Sequence, residues 1–256
     1  MTVALNYREL GSGGVPVLLI HGLFGAGDNL GSLARRLATT RRVLMVDLRN
    51  HGQSPHTSTM SQAEMADDVL ALLKRLGSAR ADIVGHSLGG KVAMQLAMNH
   101  PECVRRLVVV DIAPVDYPRG HDTVFAALHA VDLSAVNSRR DAEAMLAPHI
   151  AEPMLRQFLL KSLERTDSGY GWRFNLPSLY TNYEALRAAP QGELFPGPTL
   201  FVRGELSDYI APRYEPQLRA FFPQAHIETV AGAGHWVHGD NPEVFNQLVE
   251  DFLNQD

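Results

Sequence analysis

Short apolar runs bounded by turn-forming residues recur along the chain, at residues 15–20, 43–47, 82–84, 107–110, 199–202 and 227–230. Runs of this length and composition are typical of buried β-strands. Helical patterns separate several of them, and strands that alternate with helices predict a mostly parallel sheet flanked by helices on both faces. The predicted fold class is therefore α/β.

Two helices are marked by their ends as well as by their apolar stripes. Ser61 and Glu64 can form a capping box in front of an apolar face, and Gly77 follows as a stop signal. Near the C-terminus, Asn241 is a suitable N-cap and Pro242 a suitable first residue for a helix with one apolar stripe. Both helices are expected to pack on the sheet.

Strand signals are missing between residues 117 and 190, where apolar residues such as Phe125, Leu128 and Val131 recur at helical spacing. We interpret this segment as a helical insertion. The predicted division is a core formed by residues 1–116 and 191–256, interrupted by an insertion at residues 117–190.

Composition and charge narrow the function classes. A chain of 256 residues accommodates one large α/β domain. Its net charge of −5 argues against a nucleic-acid-binding protein, since phosphate neutralisation needs a basic surface. The single cysteine, Cys103, excludes an internal disulfide and fits a reducing compartment. Because no signal-peptide pattern and no membrane-spanning run is visible, we expect a cytoplasmic protein.

The segment from Ala81 to Met94 reads as a strand, a sharp turn and a helix, with Ser87 at the turn. Gly85 and Gly89 flank the serine at the two positions where other chain segments must approach closely, as in a nucleophile elbow. The following helix N-terminus favours developing negative charge. Ser87 is therefore the predicted nucleophile. Its neighbours His86 and Lys91 are interpreted as packing or solvated residues.

A second turn, His21-Gly22-Leu23-Phe24-Gly25, follows the strand at residues 15–20. Ligands of open α/β sheets bind at this edge of the strands. Two aimed backbone N–H groups can stabilise the oxyanion of an acyl-transfer reaction, and the candidates are those of Leu23 and Leu88. His21 is interpreted as a structural histidine that bonds the loop backbone.

A serine hydroxyl needs a base, and that base needs a carboxylate. His235 lies on a glycine-rich loop between a strand and the C-terminal helix, so it is the predicted base. His238 is interpreted as loop packing, because no third metal ligand lies nearby. Asp111 and Asp208 both follow strands and both satisfy the chain order Ser, Asp, His. Asp111 is favoured because it lies directly at a strand end, and Asp208 stays as the alternative.

These motifs resemble those of the α/β-hydrolase superfamily and, within it, the YbfF-like bacterial esterases. The resemblance covers the chain from about Val15 onward. It is carried by HGLFG at 21–25, DLRNHGQSP at 47–55, GHSLGGK at 85–91, DIAPVDY at 111–117, WRFN at 172–175 and AGAGHWVH at 231–238.

The resemblance implies a helical lid between the sixth and seventh strands and hydrolysis of short- to medium-chain carboxylic esters or acyl thioesters through an acyl-enzyme. It implies no cofactor and no metal. The expected partner is a small-molecule substrate, and the expected state is a monomer or homodimer. In much of the superfamily the acid occupies the position of Ser207, whereas in YbfF-like members it follows the earlier strand, which matches Asp111.

Two rival functions share these residues. A carbon–carbon bond hydrolase uses the same triad, and product analysis on dienoates and esters would separate the two enzymes. A slow-turnover ligand-binding receptor is the rival from another class, and fast turnover of a simple aryl ester would exclude it. Dehalogenases and epoxide hydrolases carry Asp at the elbow, so Ser87 argues against them. Lid side chains that could line an acyl pocket, or equally form the lid core, are Phe125, Phe158, Trp172 and Tyr180.

Overall fold

The computed structural model describes residues 1–167 and 169–255. Its strands are β1 (Tyr7–Leu10), β2 (Val17–Ile20), β3 (Val43–Val46), β4 (Ala81–His86), β5 (Val104–Val110), β6 (Leu163–Thr166), β7 (Gly169–Trp172), β8 (Thr199–Gly204) and β9 (Ala225–Val230). Seven of them form one sheet in the order β1-β3-β2-β4-β5-β8-β9. Within this sheet, as far as the structure describes it, β1 alone runs antiparallel to its neighbour. The six predicted strands and the α/β class are thus confirmed.

The α-helices are α1 (Gly31–Leu37), α2 (Gln62–Arg75), α3 (Leu88–Asn99), α4 (Asp122–Ala130), α5 (Arg139–Leu146), α6 (Pro153–Leu160), α7 (Leu176–Thr181), α8 (Tyr183–Arg187), α9 (Glu215–Phe221), α10 (Val237–Asp240) and α11 (Pro242–Leu253). Alternate side chains of a strand face opposite sides of the sheet. In β2, Leu18 joins the buried cluster of α2 and α3, whereas Leu19 joins that of α1 and α11. Helices therefore cover both faces. None of the described helices is long and apolar enough to cross a membrane.

The predicted helix caps form. The N–H of Glu64 donates to the Ser61 hydroxyl oxygen over 3.2 Å, and the N–H of Ser61 donates to the Glu64 carboxylate over 2.9 Å. At the other end of the chain, Asn241 accepts the N–H of Val244. These bonds satisfy backbone donors that lack partners within the helix, so each helix starts at the predicted residue.

The segment between β5 and β8 departs from expectation in two ways. It contains α4 to α8 and also the antiparallel hairpin β6–β7, which the apolar pattern did not indicate. The hairpin was missed because its strands are short and largely polar or glycine-containing. The segment also lies between the fifth and sixth strands of the main sheet, not the sixth and seventh, because only five strands of that sheet precede it. The division into core and lid stays a prediction.

The parallel register aligns the carboxyl ends of the central strands. Ile20 of β2 pairs with Gly85 of β4, and His86 pairs with Val110 of β5. The loops that follow these strands therefore meet at one edge of the sheet, beneath the helical segment.

Candidate active site

Ser87 occupies a strained turn between β4 and α3. Its backbone dihedrals, φ 52° and ψ −117°, lie in a region that non-glycine residues rarely adopt. The turn is crowded: a Cβ at Gly85 would lie 2.2 Å from the Gly89 carbonyl oxygen, and one at Gly89 would lie 2.3 Å from the Ile20 oxygen. Both positions therefore require glycine, as the motif predicted.

His235 reaches Ser87 from the loop after β9. Its Nε2 lies 3.1 Å from the Ser87 Oγ. The loop passes close to the end of β8, where a Cβ at Gly204 would lie 2.1 Å from the Gly234 oxygen. The Tyr209 ring covers the imidazole at a centroid distance of 4.2 Å. The imidazole is thus held within hydrogen-bond reach of the hydroxyl.

Asp111 is the carboxylate that contacts His235. The Nδ1 of His235 lies 2.8 Å from Asp111 Oδ2, and the Gly204 N–H donates to Oδ1 over 3.0 Å. The Asp111 side chain is completely buried, and its backbone adopts a positive φ of 50°. Asp208 lies on a cavity wall instead. Of the two aspartates that the sequence left open, the structure brings Asp111 to the histidine.

Ser207 has a contact that the sequence did not reveal. Its hydroxyl donates to Asp111 Oδ2, the same oxygen that faces His235. The family pattern singled out this position as a departure, because a serine replaces the usual acid there. In this chain the hydroxyl adds a hydrogen bond to the carboxylate, which holds the carboxylate in place.

The predicted oxyanion donors lie beside the serine. Leu23 and Leu88 both line a cavity that contains Ser87. The N–H of Leu88 has no acceptor within its helix because Leu88 is the first residue of α3. A Cβ at Gly22 would lie 3.2 Å from the Ser87 Cβ, so the first turn packs directly against the elbow.

Two buried histidines support these loops. The Leu48 N–H donates to His21 Nε2, so His21 Nδ1 carries the proton and donates to the Gly22 oxygen over 2.8 Å. His86 donates from Nε2 to the His235 carbonyl oxygen over 2.9 Å, and its ring contacts His238 at 4.6 Å. Burial lowers the pKa of both His21 and His86, which favours their neutral forms. The structural interpretation of His21 and His238 fits these contacts.

Lys91 is not a solvated residue. Its side chain is buried, and its ammonium donates to the carbonyl oxygens of Val115, Arg187 and Ala188. These carbonyls lie at the two ends of the helical segment, so Lys91 joins both ends to α3. Burial lowers the pKa of Lys91 to about 7. The interpretation as a packing residue holds, with a function in connecting chain segments that local sequence did not indicate.

Two cavities meet at Ser87 and His235. The larger has a volume of about 450 Å³ and the smaller about 250 Å³. Both are lined by Leu23, Ser87, Gly120, His121, Tyr209 and His235. Among the four aromatic lid candidates, Phe158 lines the smaller cavity. Phe125 is buried in the lid, where its ring packs edge-on against Phe24.

His121 was not identified from the sequence. It precedes α4, lines both cavities, and its Nδ1 lies 2.6 Å from the Tyr183 hydroxyl. Burial lowers the pKa of His121 to about 4, so it is neutral near pH 7. Only the tertiary structure reveals that this histidine lines the same cavities as Ser87, because it comes from the helical segment, far from Ser87 along the chain.

Comparisons with known proteins agree with this geometry. A family model described as the alpha/beta hydrolase fold matches residues 15–242. The chain is 43% identical to the sn-1-specific diacylglycerol lipase ABHD11 of Mus musculus, over 97% of this chain and 85% of the relative. It is 40% identical to Esterase YbfF of Escherichia coli, over 93% of each chain. A solved structure, a marine microorganism esterase, superposes with a TM-score of 0.95 at 38% identity and covers 98% of this chain and 100% of its own.

Proposed function

The chain belongs to the α/β-hydrolase family, and from that premise we propose that it is a serine hydrolase that cleaves carboxylic esters or acyl thioesters. One observation carries the proposal. Ser87 Oγ, His235 Nε2, His235 Nδ1 and Asp111 Oδ2 form a continuous chain with contacts of 3.1 and 2.8 Å, beside two cavities. This is the arrangement that activates a hydroxyl for attack on a carbonyl carbon.

In the proposed reaction, Ser87 Oγ attacks the carbonyl carbon while His235 Nε2 takes the hydroxyl proton. The negative charge that forms on the carbonyl oxygen is stabilised by the N–H groups of Leu23 and Leu88. Collapse of this intermediate breaks the bond to the leaving group, which receives the proton from His235. The product is an acyl-enzyme on Ser87.

The acyl-enzyme is then hydrolysed by the same steps, with a water molecule as the nucleophile. His235 removes a proton from the water, the hydroxide oxygen adds to the acyl carbon, and the bond to Ser87 breaks as His235 returns the proton to Oγ. Asp111 fixes the imidazole with its proton on Nδ1 and stabilises the imidazolium in both halves. The buried environment of Asp111 and the additional donor from Ser207 support this function.

The relatives named above are an esterase, a lipase and a further esterase, which supports an acyl ester as the substrate class. The cavity sizes support short- to medium-chain acyl groups. We place the enzyme in the cytoplasm, and its one cysteine, Cys103, which is free and buried, fits that reducing compartment.

The decisive experiment replaces Ser87 by alanine. We expect Ser87→Ala to lower kcat/KM for a p-nitrophenyl ester by about 10⁴-fold or more, because the Ser87 hydroxyl is the one that His235 Nε2 contacts within the described part of the chain. A Ser58→Ala variant, which alters an exposed serine outside both cavities, should retain full activity. The wild type should release a burst of p-nitrophenol, the sign of an acyl-enzyme. Near-full activity of Ser87→Ala would refute the proposal.

A further inference from the structure

The smaller of the two cavities has a wall that suits a hydrocarbon chain. The side chains that line it and not the larger cavity include Phe24, Val124, Leu155, Phe158 and Trp236. All five are apolar apart from the indole N–H of the tryptophan, and the neutral ring of His86 also lines this cavity. An alkyl chain that enters this space leaves water for apolar surroundings, which is favourable for each methylene group.

The larger cavity has a different chemistry. The residues that belong to it alone include the charged or polar Lys91, Arg187, Asp208, Arg213 and Tyr214 and the apolar Ile112, Leu186 and Leu206. An alkyl chain there would remove the exposed charges of Asp208 and Arg213 from water, which is unfavourable. The larger cavity therefore suits the more polar half of an ester or thioester, because its wall carries charged side chains that the smaller cavity lacks.

We propose that the smaller cavity holds the acyl chain and that Phe158 limits its length, an inference that rests on the proposed serine hydrolase function. The volume of about 250 Å³ accommodates roughly eight methylene-sized groups, if each takes about the 30 Å³ of a water molecule in the liquid. The acyl preference is therefore for chains of about eight carbons or fewer.

Phe158 has the position that such a limit requires. It lies on α6 three residues after Leu155, so the two side chains share one face of the helix. Its ring contacts Trp236, the residue after His235, at a centroid distance of 5.5 Å. Phe158 is half-buried, whereas Phe24 is buried and held edge-on by Phe125 and Phe174.

Phe158 is thus a half-buried wall residue that can be shortened without opening the buried core of the molecule. In Phe158→Ala the cavity should extend outward along α6, and longer chains should fit. The matched control is Met154→Ala on the same helix, because Met154 is exposed and lines neither cavity.

The test uses two substrate series. One is a set of p-nitrophenyl esters with acyl chains of increasing length, and the other is a set of acetate esters of alcohols of increasing length. For wild type and Met154→Ala, kcat/KM should rise about two- to fourfold per methylene in the acyl series and then fall beyond about eight carbons. In Phe158→Ala this limit should move by two or more carbons, whereas in Met154→Ala it should stay where it is in the wild type.

Two outcomes would overturn the assignment. One is a length limit in the acyl series that is the same in Phe158→Ala and the wild type. The other is a change confined to the alcohol series, which would place the alcohol in the smaller cavity. Either result would leave the serine hydrolase proposal intact, because that proposal fails only if Ser87→Ala keeps its activity.

Discussion

Replacing Asp111 by asparagine changes one atom of the proposed triad and little else. The carboxylate is completely buried and receives three hydrogen bonds: the Gly204 N–H at Oδ1, and the Ser207 hydroxyl and His235 Nδ1 at Oδ2. If the asparagine oxygen keeps the bond from Gly204, its amide NH₂ faces Nδ1. If the amide is reversed, the NH₂ faces the Gly204 N–H, and two donors meet in a buried place.

The first arrangement is the less costly one, and it reverses the histidine tautomer. The amide NH₂ can donate only to an unprotonated Nδ1, so the proton moves to Nε2, which then cannot accept the Ser87 hydroxyl proton. In comparable triads this change lowers kcat by about 10⁴-fold. A factor of that size corresponds to about 5.5 kcal/mol of lost transition-state stabilisation. KM should change little, because Asp111 does not line either cavity.

The measurement compares Asp111→Asn with Asp208→Asn on one p-nitrophenyl ester under steady-state conditions. Circular dichroism and a thermal melt establish that both variants are folded. We expect the large loss of kcat in Asp111→Asn and a change of less than about tenfold in Asp208→Asn, since Asp208 lies on a cavity wall away from Nδ1. The reverse order would show that the contact between Asp111 and His235 does not support catalysis.

Two further changes test other parts of the site. Burial lowers the pKa of Lys91 to about 7, whereas the pKa of a lysine in an unfolded chain is about 10.4. Between these two pH values the unfolded state binds more protons than the folded state, so the free energy of unfolding increases as the pH rises. In urea unfolding from pH 7 to pH 9, the free energy of unfolding of the wild type should therefore increase by up to about 1.4 kcal/mol per pH unit more than that of Lys91→Met. Equal pH slopes for the two proteins would contradict the burial of the Lys91 amine. Gly204→Ala places a Cβ 2.1 Å from the Gly234 oxygen and should push the His235 loop away, which lowers kcat by about 10²-fold in a folded protein. Unchanged turnover in that variant would show that the loop can yield without loss of geometry.

Much of the fold and part of the site follow from local sequence. Strand β2 and residues 107–110 of β5 are apolar runs that are buried on both faces of a parallel sheet, so their composition identifies them. The elbow is also local, because Gly85, Ser87 and Gly89 meet its steric requirements within five residues. The strand β1 was not predicted, since Tyr7–Leu10 is a partly exposed edge strand that alternates little in polarity.

The rest depends on which distant segments meet. Chain order allowed either Asp111 or Asp208 to contact His235, and only the pairing of β5 with β8 brings Asp111 beneath the imidazole with Ser207 beside it. Lys91 has partners 24 to 97 residues away, so no local pattern reveals its three carbonyl bonds.

The sequence by itself therefore determined the α/β class, the serine turn and the histidine loop, because their requirements are set by neighbouring residues. The tertiary structure decided which carboxylate faces the histidine and which residues of the helical segment, among them His121 and Phe158, line the cavities beside Ser87. The physical reason is that hydrogen bonds and cavity walls form between side chains that are close in space. The separation of these side chains along the chain does not indicate whether they are close in space.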